Sequence, residues 1–236
     1  METIIKEISA AIRKTQDADR AAHCQQFFKT SKGEYGEGDV FLGIRVPELR
    51  KLAKTYKQIS FVDCTHFLKS KYHEERQFAI FVLVLQFKKA DDQTKKTIFQ
   101  LYLDHTCYIN NWDLVDASAH EIVGGYLFDK DRDLLYQLVK SHDLWERRIA
   151  VIATFYFIKR NDFDDALKIS EQLLPDSHDL IHKAVGWMLR EIGKRDQKTE
   201  ELFLKKHYAN IPRTALRYAI EKFSSQKRML YLKGNF

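Results

Sequence analysis

The chain contains few residues that interrupt helices. Its 236 residues include three prolines (Pro47, Pro175 and Pro212) and nine glycines, four of them within residues 33–43. Because proline and glycine are the usual helix breakers, long uninterrupted stretches remain, and they predict an all-α protein. A hydrophobic content of 44%, with 13% aromatic residues, excludes a disordered chain.

Cysteine and long apolar runs are also scarce. Cys24, Cys64 and Cys107 are odd in number and form no CxxC motif, so neither a disulfide framework nor a zinc site is indicated. The longest apolar run, Phe78 to Leu85, is too short to span a bilayer, and the charged N-terminus does not resemble a signal peptide. We therefore expect a soluble cytoplasmic protein without a metal, another cofactor or a membrane partner.

The charge is mildly basic. Lysine and arginine number 39 against 33 acidic residues, which gives a net charge of +6 and a pI near 9.0. This balance favours a polyanionic partner but does not identify one, because many basic proteins bind no nucleic acid.

The N-terminal quarter, residues 1–58, predicts helices over 2–14 and 17–30, followed by a glycine-rich loop from Ser31 to Asp39. This loop lacks GxGxxG and no strand precedes it, which disfavours a nucleotide-binding loop. Pro47 suits the first turn of the next helix, whose polar face carries Arg50 and Lys54 at i, i+4.

The remaining residues, 59–236, read as about five pairs of helices at a period in the thirties. First helices are predicted to start near Ser60, Asp91, Asp131, Asp162 and Gln197, and second helices near Tyr72, Asn111, Leu144, Ser177 and Pro212. Such self-similarity is typical of an α-solenoid of HEAT-like antiparallel helix pairs, whose second helices usually line the concave face. We predict one domain over residues 1–236, with a concave basic groove.

One second helix carries an unusual pair of side chains. Trp112 and Asp116 are four residues apart and share a helix face, whereas the neighbouring Leu114 and Val115 can pack inward. Two interpretations are open. The pair forms a functional surface, or Trp112 packs between helices while the acid merely favours the helix dipole.

Later second helices add cations and a second indole: Arg147, Arg148, Lys183, Trp187, Arg190 and Lys194. Taken singly, each has a structural explanation, because an arginine can pair with an acid on the next helix, Trp187 can belong to the core, and a cationic stripe can simply face solvent. Their coincidence on corresponding helices favours a groove that holds two indoles, one carboxylate and several cations.

Four stretches resemble the AlkD family of DNA alkylation repair glycosylases. They are Val40-Phe-Leu-Gly-Ile-Arg-Val-Pro-Glu-Leu-Arg-Lys-Leu, Asn111-Trp-Asp-Leu-Val-Asp, Leu144-Trp-Glu-Arg-Arg-Ile-Ala and His182-Lys-Ala-Val-Gly-Trp-Met-Leu-Arg-Glu. The resemblance covers nearly the whole chain, in order, and implies a HEAT-like fold that excises purines alkylated at ring nitrogens, such as 3-methyladenine and 7-methylguanine, from duplex DNA.

The resemblance also implies roles for individual residues. Asp116 corresponds to the catalytic aspartate, Trp112 and Trp187 to the aromatic pair beside it, and Arg148 to an arginine that holds the DNA backbone. The implied DNA-binding residues further include Arg45, Arg50, Lys54, Lys183 and Arg190. The chain departs from the family at Asn111, where some members carry a second tryptophan, and at Arg45, where others have a neutral polar residue.

The chemistry fits a monofunctional glycosylase, and we expect the protein to be a monomer. An alkylated purine is already cationic, so it leaves without protonation, and a carboxylate can stabilise the positive charge that develops on the sugar. The motif offers no lysine that could form a Schiff base, so lyase activity is not expected. Two alternatives remain: a non-catalytic HEAT-repeat scaffold that binds proteins, and a DNA-structure-binding protein that has lost catalysis.

Overall fold

The computed structural model describes residues 2–236, with side chains from Thr3 onward, and its contacts divide into two compact units. The first unit is Met1–Ile122 and the second is Val123–Phe236. No strand occurs among residues 2–236, where β-type pairing is limited to one isolated bridge between Val40 and Tyr72. The all-α prediction is confirmed, whereas the single domain and the concave groove stay predictions.

The helices of the first unit are α1 (Glu2–Arg13), α2 (Ala18–Phe27), α3 (Val46–Thr55), α4 (Phe61–Leu68), α5 (His73–Phe87), α6 (Asp92–Leu103) and α7 (Trp112–Ala119), with a 3-10 turn at Thr106–Tyr108. Those of the second unit are α8 (Gly125–Leu127), α9 (Asp133–Leu138), α10 (Leu144–Ala153), α11 (Phe155–Ile158), α12 (Asp164–Leu173), α13 (Asp179–Gly193), α14 (Gln197–His207), α15 (Arg213–Ala219) and α16 (Ser225–Lys233). Each predicted helix start lies within two residues of an observed one.

Polar side chains cap half of the sixteen helices within residues 2–236. The side chains that accept a hydrogen bond from a backbone N–H in the first turn belong to Asp17, Ser60, Asp91, Asn111, Asp143, His178, Asp196 and Ser224. Because the first four N–H groups of a helix have no partner inside the helix, each cap stabilises its helix by about 1 kcal/mol. These residues are the local signals that set the repeat period.

Three of the five predicted helix pairs pack together within their units. In the first unit α4 packs against α5, and in the second α9 packs against α10 and α12 against α13. Each second helix also contacts the next second helix of its unit. In the first unit α5 contacts α7, and in the second α10 contacts α13 and α13 contacts α15.

Close helix approach depends on a small residue at the predicted position. A Cβ added at Gly186 of α13 would lie 2.4 Å from the Ala215 carbonyl oxygen of α15, so glycine allows these backbones to touch. Gly186 follows Lys183 by three residues, which is the spacing at which the repeats carry a small residue.

The glycine-rich loop over residues 31–39 is tied by its own hydrogen bonds. The backbone N–H of Gly33 donates to Glu37 Oε2 at 2.7 Å, and that of Ser31 donates to Glu34 Oε2 at 3.0 Å. Gly33 has a φ of 81°, a left-handed conformation that favours glycine. No helix within residues 2–236 has the length and apolar character needed to cross a bilayer.

Candidate functional site

Helix α7 presents Trp112 and Asp116 from one face. Its opposite side is fully buried at Leu114 and Val115, while Trp112 and Asp116 are only half-buried. Asn111 caps the helix, because its Oδ1 accepts the backbone N–H of Trp112 at 2.9 Å. The spacing therefore has the predicted result: indole and carboxylate lie one helical turn apart on a partly exposed surface.

A buried hydroxyl pair supports α7 from beneath. Ser118 Oγ donates to the Leu114 carbonyl at 2.6 Å and accepts the phenol of Tyr102 at 2.9 Å. Burial raises the pKa of Tyr102, and the charge of Asp116 acts in the same direction, so the phenol stays protonated and remains a donor. Immediately after α7 the chain forms a π-helix over His120–Gly124, a local widening of the helix often found beside functional sites.

Two phenylalanines at the end of α2 extend the aromatic surface at Trp112. The Phe28 ring stacks on the indole at 5.2 Å between centroids with 16° between planes, and the Phe27 ring meets it edge-on at 6.0 Å. Phe27 is 56% exposed, which is unusual for a large apolar side chain. This contact was not predicted from the sequence, where its only signal is the pair of adjacent aromatic residues shortly before the glycine-rich loop.

A polar cluster lies directly behind Trp112. His73, at the start of α5, contacts Asp39 through Nδ1 at 3.0 Å and Asp113 through Nε2 at 2.8 Å. Arg76 donates to the other oxygen of Asp39 at 2.5 Å. Gln77 donates to Asp113 Oδ2 at 2.7 Å. His73, Asp39, Arg76 and Gln77 are each at most 4% exposed, so the charges in this cluster are satisfied by one another.

These contacts shift two pKa values. Burial lowers the pKa of His73, but the charge of Asp113 and the hydrogen bonds that the ring donates to both carboxylates outweigh it and raise that pKa to about 9. Burial raises the pKa of Asp39, but the hydrogen bond from His73 and the charge of Arg76 bring it below its usual range. The imidazole is therefore protonated, and the carboxylate ionised, at neutral pH.

The departure at Asn111 has a local explanation. Asn111 is fully buried, and besides capping α7 it donates through Nδ2 to Asp39 Oδ2 at 3.3 Å. An indole could neither cap the helix in this way nor fit beside the carboxylate. The aromatic surface at Trp112 is built instead from Phe27 and Phe28 of another helix.

The predicted cations of the N-terminal part lie on or next to α3. Arg45, Arg50 and Lys54 are exposed, while Leu49 and Ala53 of the same helix are fully buried. The Arg50 guanidinium lies 4.2 Å from the centroid of the Phe81 ring, a cation–π contact that fixes its side chain without neutralising it.

In the second unit the two adjacent arginines of α10 are held by the protein itself. Arg148 is 5% exposed and donates to the Leu180 carbonyl at the start of α13. Arg147 pairs with Asp176 at 2.6 Å and donates to the Ser141 carbonyl at 3.0 Å. The structural explanation therefore applies to Arg147, and Arg148 is more buried than a simple surface phosphate contact requires.

The polar face of α13 consists of ion pairs. Lys183 pairs with Asp179 at 2.8 Å and Arg190 with Glu221. Trp187 is half-buried, and its Nε1 donates to Glu191 at 3.1 Å. The stripe expected to present cations and an indole thus also carries carboxylates, which lower its net positive charge.

The predicted site residues divide between the units. Trp112, Asp116, Arg45, Arg50 and Lys54 belong to the first, and Arg148, Lys183, Trp187 and Arg190 to the second. The expectation that they line one groove stays a prediction. Among residues 2–236 no three His, Cys, Asp or Glu side chains are grouped as metal ligands would be.

Comparison with known proteins places these features in a family. Residues 8–223 match the family model described as DNA alkylation repair enzyme. A predicted DNA alkylation repair enzyme from Enterococcus faecalis shares the fold, with a TM-score of 0.67 and 17% identity over 89% of this chain and 98% of that one. AlkD2 from Streptococcus mutans gives a TM-score of 0.53 and 18% identity over 88% and 98%. No curated protein has a matching sequence.

Proposed function

Because the chain belongs to the family of DNA alkylation repair enzymes, we propose that it is a monofunctional DNA glycosylase. Its substrate is duplex DNA that contains purines alkylated at N3 or N7, and it hydrolyses the N-glycosidic bond of the damaged nucleotide as a monomer. The observation that carries this proposal is the position of Trp112 and Asp116 on one partly exposed face of α7, whose other side is buried.

The residues suit the electrostatics of this reaction. The alkylated base carries a positive charge and leaves as a neutral molecule, so positive charge develops on the deoxyribose. Asp116 would stabilise that charge and align the attacking water, while the face of Trp112 attracts cationic groups. Neither role needs a general acid, which agrees with a motif that supplies a single carboxylate on this face.

Exposed cations would hold the phosphate backbone. Arg45, Arg50 and Lys54 project from the region of α3, and Arg50 is oriented by the Phe81 ring. The charge of the whole chain is also uneven, because residues 205–236 contain eight lysines and arginines but a single acid, Glu221. Such concentration of charge favours contact with a polyanion.

Residues of the second unit complete the proposal. Trp187 would contact the DNA through its half-buried indole, and Arg148 would hold the DNA backbone only after releasing the Leu180 carbonyl. Lys183 and Arg190 would exchange their carboxylate partners for phosphates, so each would contribute less than an unpaired cation.

The test is incubation of the protein with randomly methylated duplex DNA, followed by chromatography of the released bases. We expect release of 3-methyladenine and 7-methylguanine without strand cleavage. If DNA binds in a salt-dependent manner but no base is released, the chain is a DNA-structure-binding protein. If binding does not respond to salt as counterion release requires, the protein-binding scaffold is favoured.

A further inference from the structure

The cluster of His73, Asp39 and Asp113 joins three segments that are distant in sequence. Asp39 belongs to the loop before α3, His73 begins α5, and Asp113 is the second residue of α7. The backbone N–H of His73 also donates to the Val40 carbonyl at 2.9 Å, which fixes the loop against α5. The start of α7 is therefore tied to two other segments through one imidazole ring.

The ring must carry two protons to make these contacts. Ionised carboxylates only accept hydrogen bonds, so Asp39 and Asp113 each require an N–H from the ring. With Arg76 as the second cation, the cluster contains two positive and two negative charges and is neutral as a whole. A neutral set of paired charges tolerates burial, whereas removal of one member leaves an uncompensated charge inside the protein.

A second route connects His73 to Trp112 through stacked rings. The Phe41 ring stacks on the imidazole at 4.4 Å with 23° between planes. Phe28 stacks on Phe41 at 4.9 Å and on the Trp112 indole at 5.2 Å. The Phe28 ring also lies 5.3 Å from the imidazole itself. His73 is therefore connected to the indole in two ways: through Asp113, the residue that follows Trp112 in the chain, and through the rings of Phe41 and Phe28.

We propose that His73 is a positioning residue that fixes the Trp112 indole and, through the start of α7, the carboxylate of Asp116. The functional part of this inference rests on the glycosylase function proposed above. Without the protonated ring, Asp39 and Asp113 repel each other, and Phe41 loses one of its two stacking partners and keeps only Phe28. The first turn of α7 then moves, and displacements of this kind, of about 1 Å, can reduce a rate by on the order of 100-fold.

The experiment is ¹⁹F NMR of the full chain labelled with 5-fluorotryptophan, combined with single-turnover excision. The three tryptophans give three resonances, assigned by single substitution to phenylalanine. We expect His73→Gln to shift or broaden the Trp112 resonance and leave those of Trp145 and Trp187 in place. At saturating enzyme the excision rate should fall on the order of 10- to 100-fold, with little change in DNA affinity.

The matched control is Glu74→Gln. Glu74 is 3% exposed, adjacent to His73, and accepts the backbone N–H groups of Leu42 at 2.9 Å and Gly43 at 2.7 Å. It stabilises the same loop without touching Asp113, so its loss should lower the melting temperature while the Trp112 resonance and the excision rate stay in place. Should His73→Gln fail to fold, Asp113→Asn replaces it, because the near-isosteric amide removes only the charge.

The outcomes separate the two proposals. If His73→Gln lowers the melting temperature but leaves the Trp112 resonance unmoved, the cluster only stabilises the fold and the inference is overturned, whatever happens to the rate. If the Trp112 resonance moves and the rate falls, the inference is supported. If the resonance moves while the parent protein excises no base, the link between His73 and Trp112 stands and the glycosylase proposal fails.

Discussion

Glu200 lies so close to Gly193 that a Cβ atom on residue 193 would be 1.6 Å from Glu200 Oε2. Glycine at the end of α13 therefore leaves room for a carboxyl group on α14 that is 1% exposed. Burial, reinforced by the charge of Glu201, raises the pKa of Glu200 to about 9. The side chain is consequently a neutral acid in the folded protein at physiological pH.

This neutral acid predicts how stability depends on pH. The ordinary pKa of the group is 4.5, so between about pH 5 and 9 the folded protein holds one proton that the unfolded chain has lost. The free energy of unfolding should then fall by up to about 1.4 kcal/mol per pH unit as the pH rises through this window. Glu200→Gln mimics the neutral acid, and we expect it to match the parent near pH 5 and to melt at a higher temperature at pH 8.

The measurement is the difference between parent and variant melting curves at several pH values. Other groups titrate as well. The raised pKa of His73, for example, makes its contribution to stability decline between about pH 6.5 and 9, but such groups contribute equally to both proteins and cancel in the difference. If the difference in melting temperature between parent and variant stays constant from pH 5 to 9, Glu200 ionises normally in the folded protein.

Helix boundaries and the exposed motif could be predicted because their causes are local. Caps such as Ser60 and Asn111 act within their own first turn, and the i, i+4 spacing alone puts Trp112 and Asp116 on one face. The polar opening of α5, by contrast, looks like a solvent-facing turn, yet every residue from His73 to Gln77 is buried. The available warning was the apolar run that follows, Phe78 to Leu85, because a helix that is apolar on all sides is buried.

Side-chain partners across segments could not be predicted. From the sequence, Arg147 and Arg148 are equally good candidates for the groove. Nothing in their own segment indicates that Arg148 donates to the Leu180 carbonyl while Arg147 pairs with Asp176. The same holds for Phe28, whose contact with Trp112 depends on how the end of α2 packs. Such contacts follow from tertiary packing of segments tens of residues apart.

Asp116→Asn should abolish most excision and retain DNA binding. The amide is nearly isosteric with the carboxylate but cannot offset the positive charge that develops on the sugar, and the loss of one such electrostatic group reduces rates on the order of 100-fold or more. Single-turnover release of 7-methylguanine measures the effect. The control is Asp92→Asn, because Asp92 has a side chain that is 94% exposed and lies in the first turn of α6. Parental activity in Asp116→Asn would refute the catalytic assignment.

Arg45→Ala should weaken binding to alkylated and undamaged DNA alike. Arg45 is exposed, and a phosphate contact carries no base information, so its removal should lower the slope of log K against log salt by about one unit. Fluorescence anisotropy at several salt concentrations gives the slope for both duplexes.

Arg147→Ala is the matched control for the salt dependence. Its guanidinium is already held by Asp176 and the Ser141 carbonyl, so we expect a lower melting temperature and an unchanged slope. If Arg147→Ala flattens the slope and Arg45→Ala does not, the DNA-binding surface has been assigned to the wrong residues.

Excision should require a cationic base but tolerate a bulky alkyl group. The residues around Trp112 and Asp116 supply one carboxylate and a partly exposed aromatic surface of Trp112, Phe27 and Phe28. Among the described residues of this surface, no amides or hydroxyls are arranged to read a purine edge. The amides of Asn111 and Gln77 are buried and donate to Asp39 and Asp113, so neither is available to a base. Selectivity must then come from the bond that the positive charge of the lesion has already weakened.

Duplexes with 7-methylguanine, a large N7 adduct, uracil or hypoxanthine should be offered side by side, and we expect release of the first two and retention of the others. Efficient uracil release, or refusal of the large cationic adduct, would require an enclosed pocket that reads the base, because an open aromatic surface has no means to make either distinction.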